Sequence, residues 1–215
     1  GGFQVAPWFI ERVTRDDDNE IIDEATPQVA CANCAEGQET VEIDGKSYPV
    51  APRVADAAAV YILRDMLRDV ITSGTGRAAL SLNREDIVGK TGTTNSQRDA
   101  WFAGFNSNLV TTVWVGKDSN DTIAEYGANA ALPIWIDFMG DALEGTPSAL
   151  PERPDTIVTA RVDQETGRRL HDDQPGGMTE LFHRDHLPDF QPRRISQELE
   201  EASGSQGAGT AESIF

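Results

Sequence analysis

The residues best able to do chemistry are concentrated in one run, Gly89-Lys90-Thr91-Gly92-Thr93-Thr94. If this run is a strand at the edge of a sheet, side chains alternate, with Lys90 and Gly92 on one side and Thr91 and Thr93 on the other. Gly92 leaves the strand bare where a ligand backbone could lie against it. The unpaired N–H and C=O groups of an edge can take up an extended peptide as an added strand. The Lys90 ammonium and the threonine hydroxyls suit a carboxylate on that peptide, and Thr94 closes the run as a further substrate-binding candidate. By itself, Lys-Thr-Gly is three common residues and fits equally a lysine ahead of a tight turn.

Other clusters carry less. Asp16-Asp17-Asp18-Asn19 lacks the glycine and closing glutamate of a calcium loop, so it reads as a solvated turn. Cys31-Ala32-Asn33-Cys34 has no second cysteine pair for zinc and no βαβ surroundings for a redox centre, which leaves a local disulfide or two inert thiols. His183 with His186, and His171 beside Asp172 and Asp173, read as surface residues rather than metal ligands. Trp101, Phe102 and Phe105 could form a ligand platform, but alternation sends most of them into the core. Trp114 and Trp135 are expected to pack between sheet and helix. No metal or cofactor is implied.

The elements that must position the Lys90 run follow from periodicity. Val54, Ala58, Ile62, Met66 and Val70, with Leu63 and Leu67, recur at helical spacing and predict an amphipathic helix of about 18 residues. It ends at the glycine turn Ser73-Gly74-Thr75-Gly76. Apolar runs at 87–94, 100–105 and 109–116 predict an antiparallel three-strand meander, its last turn marked by Asn106-Ser107-Asn108. Residues 128–143 predict a second apolar helix, with Pro133 near its first turn or kinking it. Upstream, residues 9–13 and 20–22 predict one hairpin, and 41–48, with Asp44-Gly45, a second. A further strand is expected at 157–162. The fold class is therefore α+β, an antiparallel sheet with packed helices. The expected divisions are 1–52 (hairpins and loop), 53–145 (core), 146–192 (extension) and 193–215 (a disordered tail).

The chain has 215 residues, 36 Asp+Glu against 18 Lys+Arg, and a formal net charge of -18. An anionic surface of this kind repels a polyanion, which argues against a phosphate-tracking nucleic-acid binder. No apolar run approaches the roughly 20 residues that a membrane-crossing helix needs. The Gly1-Gly2-Phe3 opening, without an initiator methionine, suggests a piece of something longer.

In order along the chain, residues 73–79 (Ser-Gly-Thr-Gly-Arg-Ala-Ala), 89–95 (Gly-Lys-Thr-Gly-Thr-Thr-Asn) and 99–104 (Asp-Ala-Trp-Phe-Ala-Gly) resemble the later half of a penicillin-binding transpeptidase domain. The likeness is to the class A, bifunctional penicillin-binding proteins. It is strongest around 73–105 and extends over about 1–190, with residues 1–7 and Val162-Asp163 with Glu165-Thr166-Gly167 contributing. The resemblance implies a partial penicillin-binding, serine β-lactamase-like fold. It implies an enzyme that attacks the D-Ala-D-Ala end of a peptidoglycan stem peptide through a serine acyl-enzyme and passes the acyl group to an amine, forming a cross-link. On that resemblance Lys90 sets the electrostatics of the catalytic hydroxyl network, Thr91 and Thr93 hold the terminal carboxylate, and Gly92 allows close approach. The Thr93 N–H is one oxyanion donor, a contact whose loss costs about 2.7–4 kcal/mol. The implied partners are stem peptides, lipid-linked precursor and β-lactams. The implied setting is the periplasmic face of the inner membrane, through an anchor and a glycosyltransferase domain outside this chain.

The departure from that pattern is the nucleophile. No serine in the chain has a lysine three residues on, as the family's Ser-x-x-Lys requires. Ser81-Leu82-Asn83 matches the second motif, Ser-x-Asn, only formally, because it lies seven residues before Lys90. The chain alone is expected not to acylate, and to be unstable or prone to aggregate, since its sheet would lack two strands and the helical lobe. The rival reading is a non-catalytic periplasmic peptide-binding module; a β-lactamase or a monofunctional relative is weaker still.

Overall fold

A computed structural model describes residues 1–35, 37–119 and 121–192. The disordered tail expected from 193 lies outside the described residues. The chain divides into two compact units, residues 1–157 and those from Val158 on.

The core of the first unit is the expected meander. Strands β5 (Val88–Thr93), β6 (Ala100–Phe105) and β7 (Val110–Val115) form an antiparallel sheet in the order β5-β6-β7; the four strands of two hairpins precede them in the chain. Register sorts the side chains. Thr91 pairs with Phe102 and Phe102 with Val113, whereas Gly92 pairs with Trp101 and Trp101 with Trp114. Directly opposed residues share a face, so the Phe102 row and the Trp101 row point opposite ways.

The Phe102 face is covered by helices. Helix α2 (Gly127–Ala142) places Trp135 against Phe102, ring centroids 4.9 Å apart in an edge-on arrangement. Both side chains are fully buried, and each is worth about 1.5–3 kcal/mol of transfer energy. The indole N–H of Trp135 donates to the Thr111 carbonyl at 3.1 Å, so this ring is buried without an orphaned donor. Pro133 sits in the second turn of α2, inside the helix.

Helix α1 (Ala57–Thr72) starts where Asp56 accepts the Ala59 N–H at 2.9 Å, a side-chain N-cap. Ile71 at its far end joins the core with Ala79, from the 3-10 turn Arg77–Leu82 that follows. The expected apolar stripe is only partly covered: of its residues Ala58 is buried while Val54, Leu63 and Met66 are exposed, and the other fully buried residue of the helix, Ile71, lies outside the stripe.

One correction concerns side-chain placement. Trp114 does not pack between sheet and helix. It lies on the Trp101 face, 48% exposed, with the two indoles 6.1 Å apart. The alternation that buries Phe102 puts both tryptophans outside, and only Trp135, carried by α2, meets the expectation.

The first hairpin also shifts. β1 (Arg12–Thr14) pairs with β2 (Ile21–Glu24), leaving Phe9 outside the strand and 94% exposed. Cross-strand pairing fixes that register: the Arg12 guanidinium donates to Glu24 at 2.7 Å, and Arg15 pairs with Glu20 across the turn. The second hairpin, β3 (Thr40–Ile43) with β4 (Lys46–Pro49), turns at Asp44 and Gly45, both at positive φ as its tight turn requires. Cys31 and Cys34 form a disulfide in the loop before it.

The second unit holds β8 (Ile157–Val162), apart from its first residue, and β9 (Met178–His183), a strand the sequence pattern did not show. Within it, Arg161 donates to the carbonyls of His171 and Gln174. Phe190 is stacked on the His171 ring, and the Arg169 guanidinium lies 4.0 Å from its centroid.

Candidate active site

Every expected site residue lies on β5 or at its end, and among the described residues β5 is an edge strand of its sheet. The strand begins buried at Val88 and Gly89 and emerges at Lys90. The Lys90 ammonium is exposed and donates to the Thr91 carbonyl at 2.9 Å, which uses one of its three N–H bonds.

The two threonines point the other way, toward the helices, and each hydroxyl meets a polar group there. Thr91 Oγ1 lies 2.7 Å from the hydroxyl oxygen of Thr75, a residue of the glycine turn after α1. Thr93 Oγ1 accepts the backbone N–H of Gly127, the first residue of α2, at 3.2 Å. Accepting that bond leaves the Thr93 proton to donate. Lys90 and the threonines therefore flank the strand edge from opposite sides rather than converging on one side of it.

Thr94 plays a different part. Its hydroxyl donates to Asp99 Oδ2 at 3.1 Å and accepts the Asp99 N–H at 2.9 Å, closing the turn between β5 and β6. The other oxygen of Asp99 accepts the Trp114 indole N–H at 2.9 Å, tying the turn to β7.

Close backbone approach shapes the site. A Cβ on Gly92 would stand 3.1 Å from Trp101 Cβ. A Cβ on Gly127 would stand 2.6 Å from the Gly92 carbonyl oxygen and nearer still to that of Trp101. The start of α2 is thus seated directly on the backbone of β5 and β6, which is how its N–H reaches Thr93.

Beneath the start of β5 lies a buried carboxylate. Asp86 has no exposed surface. Arg84 donates to it twice, at 2.9 and 2.8 Å, Asn106 donates at 3.1 Å, and the Ala149 N–H at 3.3 Å. Burial on its own pushes the Asp86 carboxyl up. The hydrogen bonds from Arg84, Ser148, Ala149 and Asn106 outweigh burial and hold it below the usual carboxylate range. The same Arg84 donates to the Thr146 carbonyl at 2.8 Å, and Arg64 of α1 to the Asp86 carbonyl at 2.5 Å. This network fastens α1 and the segment after α2 to the root of the candidate strand.

The sequence pattern assigns no role to Thr75, Asp86, Asp99 or Gly127, although Thr75 and Asp99 stand in the runs that carry the resemblance. Thr75 had a signal, since it stands between two glycines at the end of a helix. A buried Asp86 had only Arg84 two residues before it.

Among the described residues, no group of three or more His, Cys, Asp or Glu could hold a metal, and no helix is long and apolar enough to cross a membrane. No protein-family model matches the chain. It is 39% identical to penicillin-binding protein 1A of Pseudomonas aeruginosa over 218 residues, covering 87% of this chain and 26% of that protein. It is 34% identical to penicillin-binding protein 1A of Neisseria gonorrhoeae over 205 residues, covering 94% of this chain and 23% of that one. The crystal structure of penicillin-binding protein 1A from Haemophilus influenzae superposes with a TM-score of 0.73 at 33% identity, over 90% of this chain and 31% of the other. The chain thus spans about a quarter of the length of the curated relatives it matches. Sequence identity at this level and a shared fold over nine-tenths of its residues agree: the chain belongs to the class A penicillin-binding proteins.

Proposed function

We propose that this chain supplies one wall of a serine D-Ala-D-Ala transpeptidase site in a bifunctional peptidoglycan synthase. The acyl-donor stem peptide lies along the edge of β5. A serine oxygen attacks the carbonyl of the penultimate D-Ala, the peptide bond breaks, and the terminal D-Ala leaves. The amine of a second stem peptide then displaces the serine, forming the cross-link and restoring the hydroxyl.

Lys90 places a positive charge beside the reacting hydroxyl, and Thr91 and Thr93 donate to the terminal carboxylate. The Thr93 N–H faces the developing oxyanion, and Gly92 keeps the strand free of a side chain where the peptide lies. Thr94 closes the end of the site through its turn with Asp99. The nucleophile comes from a Ser-x-x-Lys segment outside these 215 residues, so the chain alone does not acylate. A membrane anchor, a periplasmic location, a glycosyltransferase domain and binding of lipid-linked precursor and β-lactams belong to the same proposal.

One observation carries it: an exposed lysine and two threonine hydroxyls flank a single edge strand, each hydroxyl oxygen paired from the helix side. Fluorescent penicillin tests it. The longest polypeptide carrying these residues should label, and its Lys90→Met variant and the 215-residue chain alone should not. Labelling of the isolated chain would place the nucleophile within it and overturn the proposal.

A further inference from the structure

We propose that Thr75 is a positioning residue for ligand carboxylates at β5: it donates its hydroxyl proton to Thr91 Oγ1 and so turns the Thr91 proton toward the incoming anion. The inference rests on the reading of β5 as the acyl-donor edge.

The delivery of Thr75 to this place is built into the glycine turn. At the end of α1 the chain folds back, with the Gly74 N–H donating to the Asp69 carbonyl at 2.9 Å and the Gly76 N–H to that of Val70 at 2.8 Å. A Cβ on Gly74 would lie 2.9 Å from Val70 Cα, and one on Gly76 3.1 Å from the Val70 oxygen. A side chain at Gly74 would force the turn away from the helix backbone, and one at Gly76 would crowd it. So wound, it sets the Thr75 hydroxyl 2.7 Å from that of Thr91, sixteen positions along the chain.

Two hydroxyls so placed hold two protons, and one of them bridges the oxygens. If Thr91 donates, the remaining proton stays on the glycine turn. If Thr75 donates, the remaining proton is on Thr91, at the strand. A carboxylate beside β5 selects the second arrangement, because a hydrogen bond to an anion is about twice as strong as one between neutral groups. The bond behind it strengthens the one in front.

Thr93 has the same design with a fixed donor. The Gly127 N–H feeds its oxygen from the rear, leaving the proton to face forward. β5 therefore carries two hydroxyls backed by donors, one from a backbone amide and one from the side chain of Thr75. The Lys90 ammonium, on the carbonyl of Thr91 at 2.9 Å, holds positive charge next to the same residue.

The test uses the longest polypeptide carrying these residues, with benzylpenicillin acylation separated into a non-covalent binding constant and an acylation rate constant. Thr75→Val should weaken non-covalent binding about three- to tenfold, the worth of one hydrogen bond, and leave the rate constant within about twofold. Thr75→Ser, which keeps the hydroxyl, should restore binding. Thr75→Val added to Thr91→Val should cost nothing more, because Thr75 acts only through Thr91. As competitors, N-acetyl-D-Ala-D-Ala should lose affinity in Thr75→Val, and its C-terminal amide should not.

Wild-type binding in Thr75→Val, equal losses for acid and amide, or additive losses with Thr91→Val would each overturn the role of Thr75. If Thr91→Val and Lys90→Met also bind and acylate as wild type, the reading of β5 itself fails, a result distinct from failure at Thr75 alone.

Discussion

Replacing Gly127 by alanine probes the contact on which the geometry of β5 depends. The added methyl would stand 2.6 Å from the Gly92 carbonyl oxygen and closer to that of Trp101. Both obstacles are main-chain atoms of paired strands, so neither can swing away like the tip of a side chain. The start of α2 must withdraw, and the Gly127 N–H bond to Thr93, already 3.2 Å long, breaks. Overpacking of this kind costs about 3 kcal/mol at the rigid end of its range, and the lost bond adds about 1. The better helix propensity of alanine returns up to about 1 kcal/mol. The net, about 3 kcal/mol, corresponds to amide hydrogen exchange in β5 and β6 about a hundredfold faster. Gly140→Ala is the control in the same helix. Its methyl would meet only Leu82 Cδ2, at 3.3 Å, a tip that can move. Exchange there should be unchanged or slower. Wild-type protection in Gly127→Ala, or equal damage from Gly140→Ala, would refute the close-approach argument.

Asp86→Asn should destabilise by about 3–5 kcal/mol at neutral pH, the cost of leaving Arg84 buried without its partner. The native Asp86 carboxyl is held below its unfolded value of about 3.9. Its contribution is therefore complete above about pH 4 and is lost as pH falls through the depressed native value. Urea titrations should show the gap between wild type and Asp86→Asn closing toward pH 2; a gap that ignores pH contradicts the assignment. Phe102→Ala should cost about 3–5 kcal/mol and Trp101→Ala much less, although the two are neighbours, because one ring is fully buried and the other 40% exposed. Equal losses in the same titration would mean that the faces of the sheet have been assigned wrongly.

The meander was legible because its three apolar runs are short, bounded by turn residues, and paired with their sequence neighbours. Its observed bounds differ from expectation by at most one residue at either end of a strand. The same pattern puts Lys90, Thr91 and Thr93 on a strand, whereas the edge position of that strand was a supposition that only the strand order supplies. Trp114 was misplaced because Val-Thr-Thr-Val-Trp-Val has bulky or β-branched residues on both faces and does not say which of them a helix will cover; the register with Phe102 and Trp101 decides that. β9 went unread because Met178-Thr-Glu-Leu-Phe-His has neither clear alternation nor a turn signal ahead of it beyond two glycines. The contacts of Thr75 and Gly127 with β5 were beyond reach for a different reason. Each joins residues distant in sequence through a hydroxyl or a bare Cα, and composition carries no trace of such a meeting.

The most direct measurement is a crystal structure of the penicilloyl adduct of the longest polypeptide that carries these residues. The antibiotic carboxylate should lie within hydrogen-bonding distance of the Thr91 and Thr93 hydroxyls, with its acyl oxygen facing the Thr93 N–H and Thr75 still bonded to Thr91. An adduct whose carboxylate lies away from β5, or whose acyl oxygen meets donors elsewhere, would contradict that arrangement.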